Sequence, residues 1–159
     1  MGSLRVIRAG LHTTIQDTGR WGFQSEGVPV AGAMDLFAHR VANALVGNNP
    51  SAATLEVTLT GPELQFEDER TIAVSGGRFD LSVDGSSIAG DTPVAVHGGS
   101  VLRFGERRQG ARAYLAIGGG LDVPIVLGSR STHVPSRTGG LLGRALAAGL
   151  GRAAHRALR

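Results

Sequence analysis

The chain has 159 residues, 42% of them hydrophobic and 18% charged, which is enough apolar material for one packed domain and too little charge for a disordered chain. There is no cysteine, which excludes disulfides, thiolate metal sites and cysteine nucleophiles together. All 16 basic residues are arginine, so a Walker-type lysine, a Schiff-base lysine and a lysine general base are excluded as well.

The net charge of +3 is unevenly placed. Residues 1–122 carry a small acidic excess, whereas residues 123–159 contain six arginines and no acid. Nucleic-acid binding is therefore not expected of the body, and aromatic residues are too scattered for a base-stacking platform. No apolar run approaches 18 residues, so no membrane span is expected, and Met1 to Gly10 lacks the apolar stretch of a secretory signal. These features together point to a cytoplasmic protein.

In chain order, residues 4–9 and 13–15 read as short strands separated by Gly10. A glycine-spaced loop follows from Gln16 to Gly32. One short helix is predicted over about residues 35–46: Asp35 can cap it, Phe37, Val41 and Leu45 recur at four-residue spacing, and Gly47 suits its C-terminal end. Beyond Pro50 the texture is β. Residues 55–60 alternate cleanly, and further strands are expected at 64–66, 71–75, 78–83, 93–96, 101–104 and 113–117. Asp84-Gly85 is a hairpin signal. Many short strands with almost no helix predict a mainly β barrel or sandwich. Residues 1–140 read as the domain and residues 141–159 as a basic tail, either a frayed amphipathic helix or disordered.

Three polar clusters are candidates for chemistry. The first is Thr14 to Gly22, where Gln16, Asp17 and Arg20 place amide, carboxylate and guanidinium within five residues. Such a group suits a carboxylate or phosphate ligand, although a structural Asp17–Arg20 turn pair is the favoured reading on spacing alone. The second is the loop into the helix, ending at Asp35, where capping is the simplest role. In the third, Ser129, Arg130 and Ser131 suit an anion-binding loop, but no strand-turn-helix elbow surrounds either serine. The five histidines show no metal-ligand spacing, so no metal site is expected, and His39 reads as a surface or edge residue of the helix.

Taken together, residues 10–20 (Gly-Leu-His-Thr-Thr-Ile-Gln-Asp-Thr-Gly-Arg), Gly27-Val28-Pro29, residues 32–35, residues 42–48, Leu55-Glu56-Val57-Thr58, Gly61-Pro62, residues 112–116 and Gly128-Ser129-Arg130-Ser131-Thr132 resemble the biotin-dependent carboxyltransferase or allophanate hydrolase subunit 2 family, which includes a 5-oxoprolinase component, over its N-terminal half. The resemblance implies a cyclophilin-like closed β-barrel. It also implies a subunit 1-type partner protein closing over a small amide or lactam substrate. ATP would drive the complex, and biotin would serve as carboxyl carrier in the carboxyltransferase branch. On this footing Gln16, Asp17, Arg20, Ser129, Arg130 and Ser131 are expected to bind substrate, and Asp35 and Glu56 are candidates for proton transfer. A second branch of the family is regulatory and antagonises a kinase inhibitor, which leaves a non-catalytic binding role as the alternative. Family members run to about twice this length, so the arginine- and alanine-rich end suggests a truncated or frameshifted chain.

Overall fold

The computed structural model describes residues 3–149. Eight strands and one α-helix follow in the order β1 (Leu4–Arg8), β2 (His12–Gln16), α1 (Leu36–Leu45), β3 (Thr54–Thr58), β4 (Glu63–Phe66), β5 (Arg70–Val83), β6 (Ser86–Ile88), β7 (Val94–Val96) and β8 (Val101–Ile117), with a short 3₁₀ turn at Gln24–Glu26. The architecture is the expected mainly β one with a single helix, as a sheet curled into a half-barrel. Its strand order is β1-β4-β8-β3-β2, and β5 joins along β8 and carries β6 and β7.

Two pairs of predicted short strands are each one long strand. β5 spans residues 70–83 and β8 spans 101–117, and they pair antiparallel along most of their length. Gly76 and Gly77, which fall between the strands expected at 71–75 and 78–83, instead sit at a register shift within β5. Bulges of this kind bend a ribbon without ending it. One end of β8 can therefore pair with β4 through Val101–Arg103 while the other pairs with β3 through Arg112–Leu115. Asp84 and Gly85 form the β5–β6 turn, both at positive φ, as the hairpin signal requires.

Alternating residues of these strands fill one core. Val6, Leu55, Val57, Leu64, Phe66, Ile72, Leu102, Phe104 and Leu115 are all fully or almost fully buried. Ordering these strands is favourable because each such side chain contributes about 1.5–3 kcal/mol on burial. The helix packs differently from its predicted face. Phe37 is 79% exposed, and the buried side is Ala38, His39, Ala42 and Asn43. The small alanines let the helix lie close on Tyr114 and Ala116 of β8. His39, expected at the surface, is wholly buried, sharing one hydrogen bond with Thr54 Oγ1 at 2.9 Å and meeting Tyr114 edge-on.

The two ends of the strand order, β1 and β2, are bridged by coil. The Thr132 and Leu146 amides donate to Ile15 and Thr13 of β2 at 2.9 and 2.8 Å, and the Gly149 amide donates to Val6 of β1 at 3.2 Å. Leu141 and Leu146 are buried in the main core. Residues 141–149 are thus packed chain rather than the helix or loose tail expected there, because two leucines enter the core and the backbone pairs with both sheet edges. The rest of that expected tail, residues 150–159, lies outside the described residues. Among the described residues no helix is long and apolar enough to cross a membrane.

The seam gives a direct test. Leu146→Ala should lower unfolding free energy by about 2–4 kcal/mol, read from the urea midpoint, whereas Leu142→Ala, whose side chain is exposed, should change it by less than about 0.5 kcal/mol.

Candidate active-site groove

Gln16 ends β2, and the following residues fold back on themselves. The Arg20 amide donates to Val30 O at 2.7 Å, the Ala33 amide to Asp17 O at 2.9 Å and the Gly32 amide to Gln16 Oε1 at 3.1 Å. The two arms touch at Gly19 and Gly32: a Cβ on Gly32 would sit 2.9 Å from the Gly19 backbone, and both residues have positive φ. Only glycine permits that approach.

Asp17 is the centre of this region. Its Oδ1 accepts from the hydroxyls of Ser129 and Ser131, each at 2.6 Å, and from the Gly19 amide at 2.9 Å, while Oδ2 accepts from the Arg130 amide at 2.6 Å. Burial alone would raise the carboxyl pKa, but these donors outweigh it and hold it below the usual carboxylate value. Gln16 is equally committed: its Nε2 donates to Thr14 Oγ1 and to Thr132 O, both at 3.0 Å. Arg20 is 1% exposed, and its Nε and Nη2 donate to the carbonyls of Val126 and Ser131 at 2.8 and 2.9 Å. Its Nη1 is buried without a partner.

Gln16, Asp17, Arg20, Ser129 and Ser131 come together across more than a hundred residues of chain, and each is buried with hydrogen bonds to polypeptide. Asp17 and Arg20 form no ion pair with each other among the described residues. Both act on the 126–132 loop, so the expected Asp17–Arg20 turn pair is replaced by separate contacts of each residue with that loop. Arg130 lines an open hollow, of about 500 Å³, beside Arg70, Asp122 and Gly120.

An open groove of about 460 Å³ lies elsewhere, where the N-terminus of α1 meets the β5 bulge and β8. Asp35, Gly77, Arg78, Gln109, Gly110 and Arg112 line it, with Met34 at its edge. Asp35 caps the helix, one carboxylate oxygen accepting from the Ala38 amide at 3.0 Å. Behind the groove stands Glu56. Its Oε2 accepts from the Met34 amide at 2.9 Å and from the Tyr114 hydroxyl at 2.8 Å, and its Oε1 is 3.6 Å from Arg112 Nε. The Tyr114 oxygen in turn accepts from the Asp35 amide at 2.8 Å. Burial first, and the Glu56 carboxylate beside it, push the Tyr114 phenol well above its ordinary pKa, so it stays a donor to Glu56.

Of the two proton-transfer candidates, Asp35 therefore faces open space. Glu56 is 8% exposed and holds the loop, the tyrosine and Arg112 in place. Sequence reasoning missed Arg78, Gln109 and Arg112. The available signal was the Gly76-Gly77 pair immediately before Arg78 and the placement of Arg112 at the head of a family motif. Burial dominates on His39, lowering its pKa and keeping the ring neutral behind the helix. Among the described residues no group of histidine, aspartate and glutamate side chains is placed to hold a metal ion.

The curled sheet with its single helix has the fold of carboxyltransferase domains. Residues 26–151 match the model of the carboxyltransferase domain, subdomain A and B, and the chain belongs to that family. Over 148 residues, 92% of this chain and 8% of the relative, it is 45% identical to urea amidolyase of Saccharomyces cerevisiae. It is 41% identical over 143 residues to the C subunit of 5-oxoprolinase of Escherichia coli, covering 90% of this chain and 46% of that one. The crystal structure of the K. lactis urea amidolyase superposes with a TM-score of 0.90 at 44% identity, over 92% of this chain and 9% of that one. The chain thus spans less than half the length of these relatives.

Asp17→Asn places an amide where both carboxylate oxygens accept, and should cost about 3 kcal/mol at neutral pH. Because the folded-state pKa is depressed, this stability is present above the unfolded value near ~3.9 and is lost as pH falls through the folded pKa. Denaturant curves of the native chain and the variant should therefore converge on acidification.

Proposed function

We infer that this chain supplies a carboxyl-binding wall to an ATP-dependent enzyme assembly that acts on a small amide, of the 5-oxoproline or urea type. The observation that carries this reading is the groove itself. Two arginines, Arg78 and Arg112, line it together with Gln109 and Asp35. Paired guanidiniums match a planar carboxylate, and a carboxamide matches an amide edge. 5-Oxoproline presents a carboxylate beside a lactam, and urea-type substrates present the same planar groups once carboxylated. The names of the relatives, a 5-oxoprolinase component and urea amidolyase, support the same substrate class.

In this reading Arg78 and Arg112 hold the substrate carboxyl, and Gln109 orients the amide. The Asp35 oxygen that does not cap the helix accepts a proton from the attacking water and returns it to the departing amide nitrogen. Lactam opening adds one water across the C–N bond, and a fixed acceptor for its proton lowers that barrier. Glu56 is a positioning residue: with Tyr114 it sets the helix entry and steadies the Arg112 guanidinium. Gln16, Asp17 and Arg20 support the scaffold further back.

The residues present do not fit an ATP site. The chain has no lysine, Gly118-Gly119-Gly120 closes β8 with no helix after it among the described residues, and no acidic or histidine cluster for a metal occurs among them either. ATP is therefore assigned to a companion protein of the subunit 1 type or to a further component of the assembly. Biotin, if the assembly uses it, is likewise assigned outside this chain. The groove is open on one side, and a second polypeptide would have to cover it before water is excluded.

The test is turnover by the chain reconstituted with its companion proteins, measured as 5-oxoproline-dependent or urea-dependent ATP hydrolysis. Arg112→Gln and Arg78→Gln should each reduce kcat/KM by about 10–100-fold, chiefly through KM. Arg103→Gln, which breaks only the exposed pair with Glu63, should leave it unchanged. Full turnover in both groove variants refutes the assignment, and complex formation without turnover by the native chain favours the regulatory role.

A further inference from the structure

The outer face of the coil that bridges β1 and β2 carries a second hollow, of about 560 Å³, lined by Val134, Arg137, Leu142, Gly143 and Arg144. Among the described residues its apolar members stay uncovered: Leu142 is 72% exposed and Val134 37%. Arg137 and Leu142 both hold left-handed backbone, with φ of 52° and 58°. That region is conformationally unfavourable for a residue with a Cβ, and packing among the described residues gives Leu142 no compensation. The walls are nonetheless set. A Cβ on Gly143 would fall 2.1 Å from the Arg137 carbonyl, the Gly143 amide donates to Gly139 O at 2.8 Å, and the Arg137 amide donates to Val134 O at 3.0 Å.

Charge narrows what fits. Residues 123–149 hold three arginines and no acid, and neither Arg137 nor Arg144 has an ion-pair partner among the described residues. The hollow is therefore an apolar floor between two exposed, unpaired guanidiniums. We propose that it docks a segment of a partner protein in which a leucine-sized apolar side chain is flanked by aspartate or glutamate. The apolar side chain fills the floor against Val134 and Leu142, and the carboxylates meet Arg137 and Arg144. A simple anion would leave the floor uncovered, and no aromatic side chain lines it for a nucleic-acid base to stack on. This proposal is independent of the substrate groove, which lies on other residues.

A fluorescein-labelled short peptide with a central leucine between aspartates, titrated into the full chain at low ionic strength, supplies the test by fluorescence anisotropy. Saturable binding is expected, weakened at least ~10-fold by the combined Arg137→Glu and Arg144→Glu changes and by Leu142→Asp. The doubly reversed variant should in turn bind a lysine-for-aspartate peptide at least ~10-fold better than the native chain does. All three positions are exposed, and matched thermal unfolding curves establish that the variants are folded. Absence of saturable binding, equal affinity across the variants, retention of binding by a serine-for-leucine peptide, or displacement by inorganic phosphate would each overturn the proposal. So would a self-associated native chain in sedimentation that Leu142→Asp renders monomeric without any peptide binding.

Discussion

The Asp17 carboxylate fastens the end of the described chain to its beginning. Four donors converge on it, three of them from residues 129–131. A buried carboxylate is costly unless every lone pair is engaged, and here both oxygens are. Because the donors come from more than a hundred residues away, the same contacts that make the charge tolerable also hold the coil in the gap between β1 and β2. Gln16 and Arg20 extend the fastening by binding the carbonyls of Thr132, Ser131 and Val126. Leu141 and Leu146 then cover the open side of the core.

The groove depends on a second buried carboxylate, arranged differently. Glu56 on β3 accepts from the Met34 amide and the Tyr114 hydroxyl, and Tyr114 accepts from the Asp35 amide. The entry to α1 is therefore tied to β3 and β8 at one point each, and the Tyr114–Glu56 hydrogen bond joins the two anchors. Ala38 and Ala42 allow the helix to sit close on the sheet, which places its N-terminus beside the β5 bulge. Asp35, Arg78 and Arg112 meet only because cap, bulge and strand end are held in that relation.

Two kinds of polar group follow from this arrangement. Those on the inner side of the loops, Gln16, Asp17, Arg20 and Glu56, are buried and bound to internal partners, with only Arg20 Nη1 left over, so they position the structure. Those at the groove and on the outer coil, Arg78, Arg112, Arg137 and Arg144, are open to solvent or only half covered. Residue type and local clustering do not separate the two kinds, since the richest cluster in sequence, around Asp17, is the one most fully occupied by the chain itself.

Much of the fold was readable from local pattern. The Asp35 cap, the alternating residues of β3, the Asp84-Gly85 turn and the family motifs are short-range signals, and short-range physics governs them. Local pattern misjudged three things: the helix face, where Phe37 lies out and His39 in; the continuity of β5 through Gly76 and Gly77; and the role of residues 141–149. Each depends on what lies opposite in space. A bulge and a strand break have the same glycine pair, and Leu141 and Leu146 are core residues only because the sheet leaves a gap of the right width between its first two strands. Sequence alone determined where most strands, the helix and the hairpin turn lie, and which family they compose. Which charges are satisfied internally and which remain open for a ligand or partner was decided by tertiary packing, because desolvation and hydrogen-bond saturation are properties of the assembled environment and not of the residue.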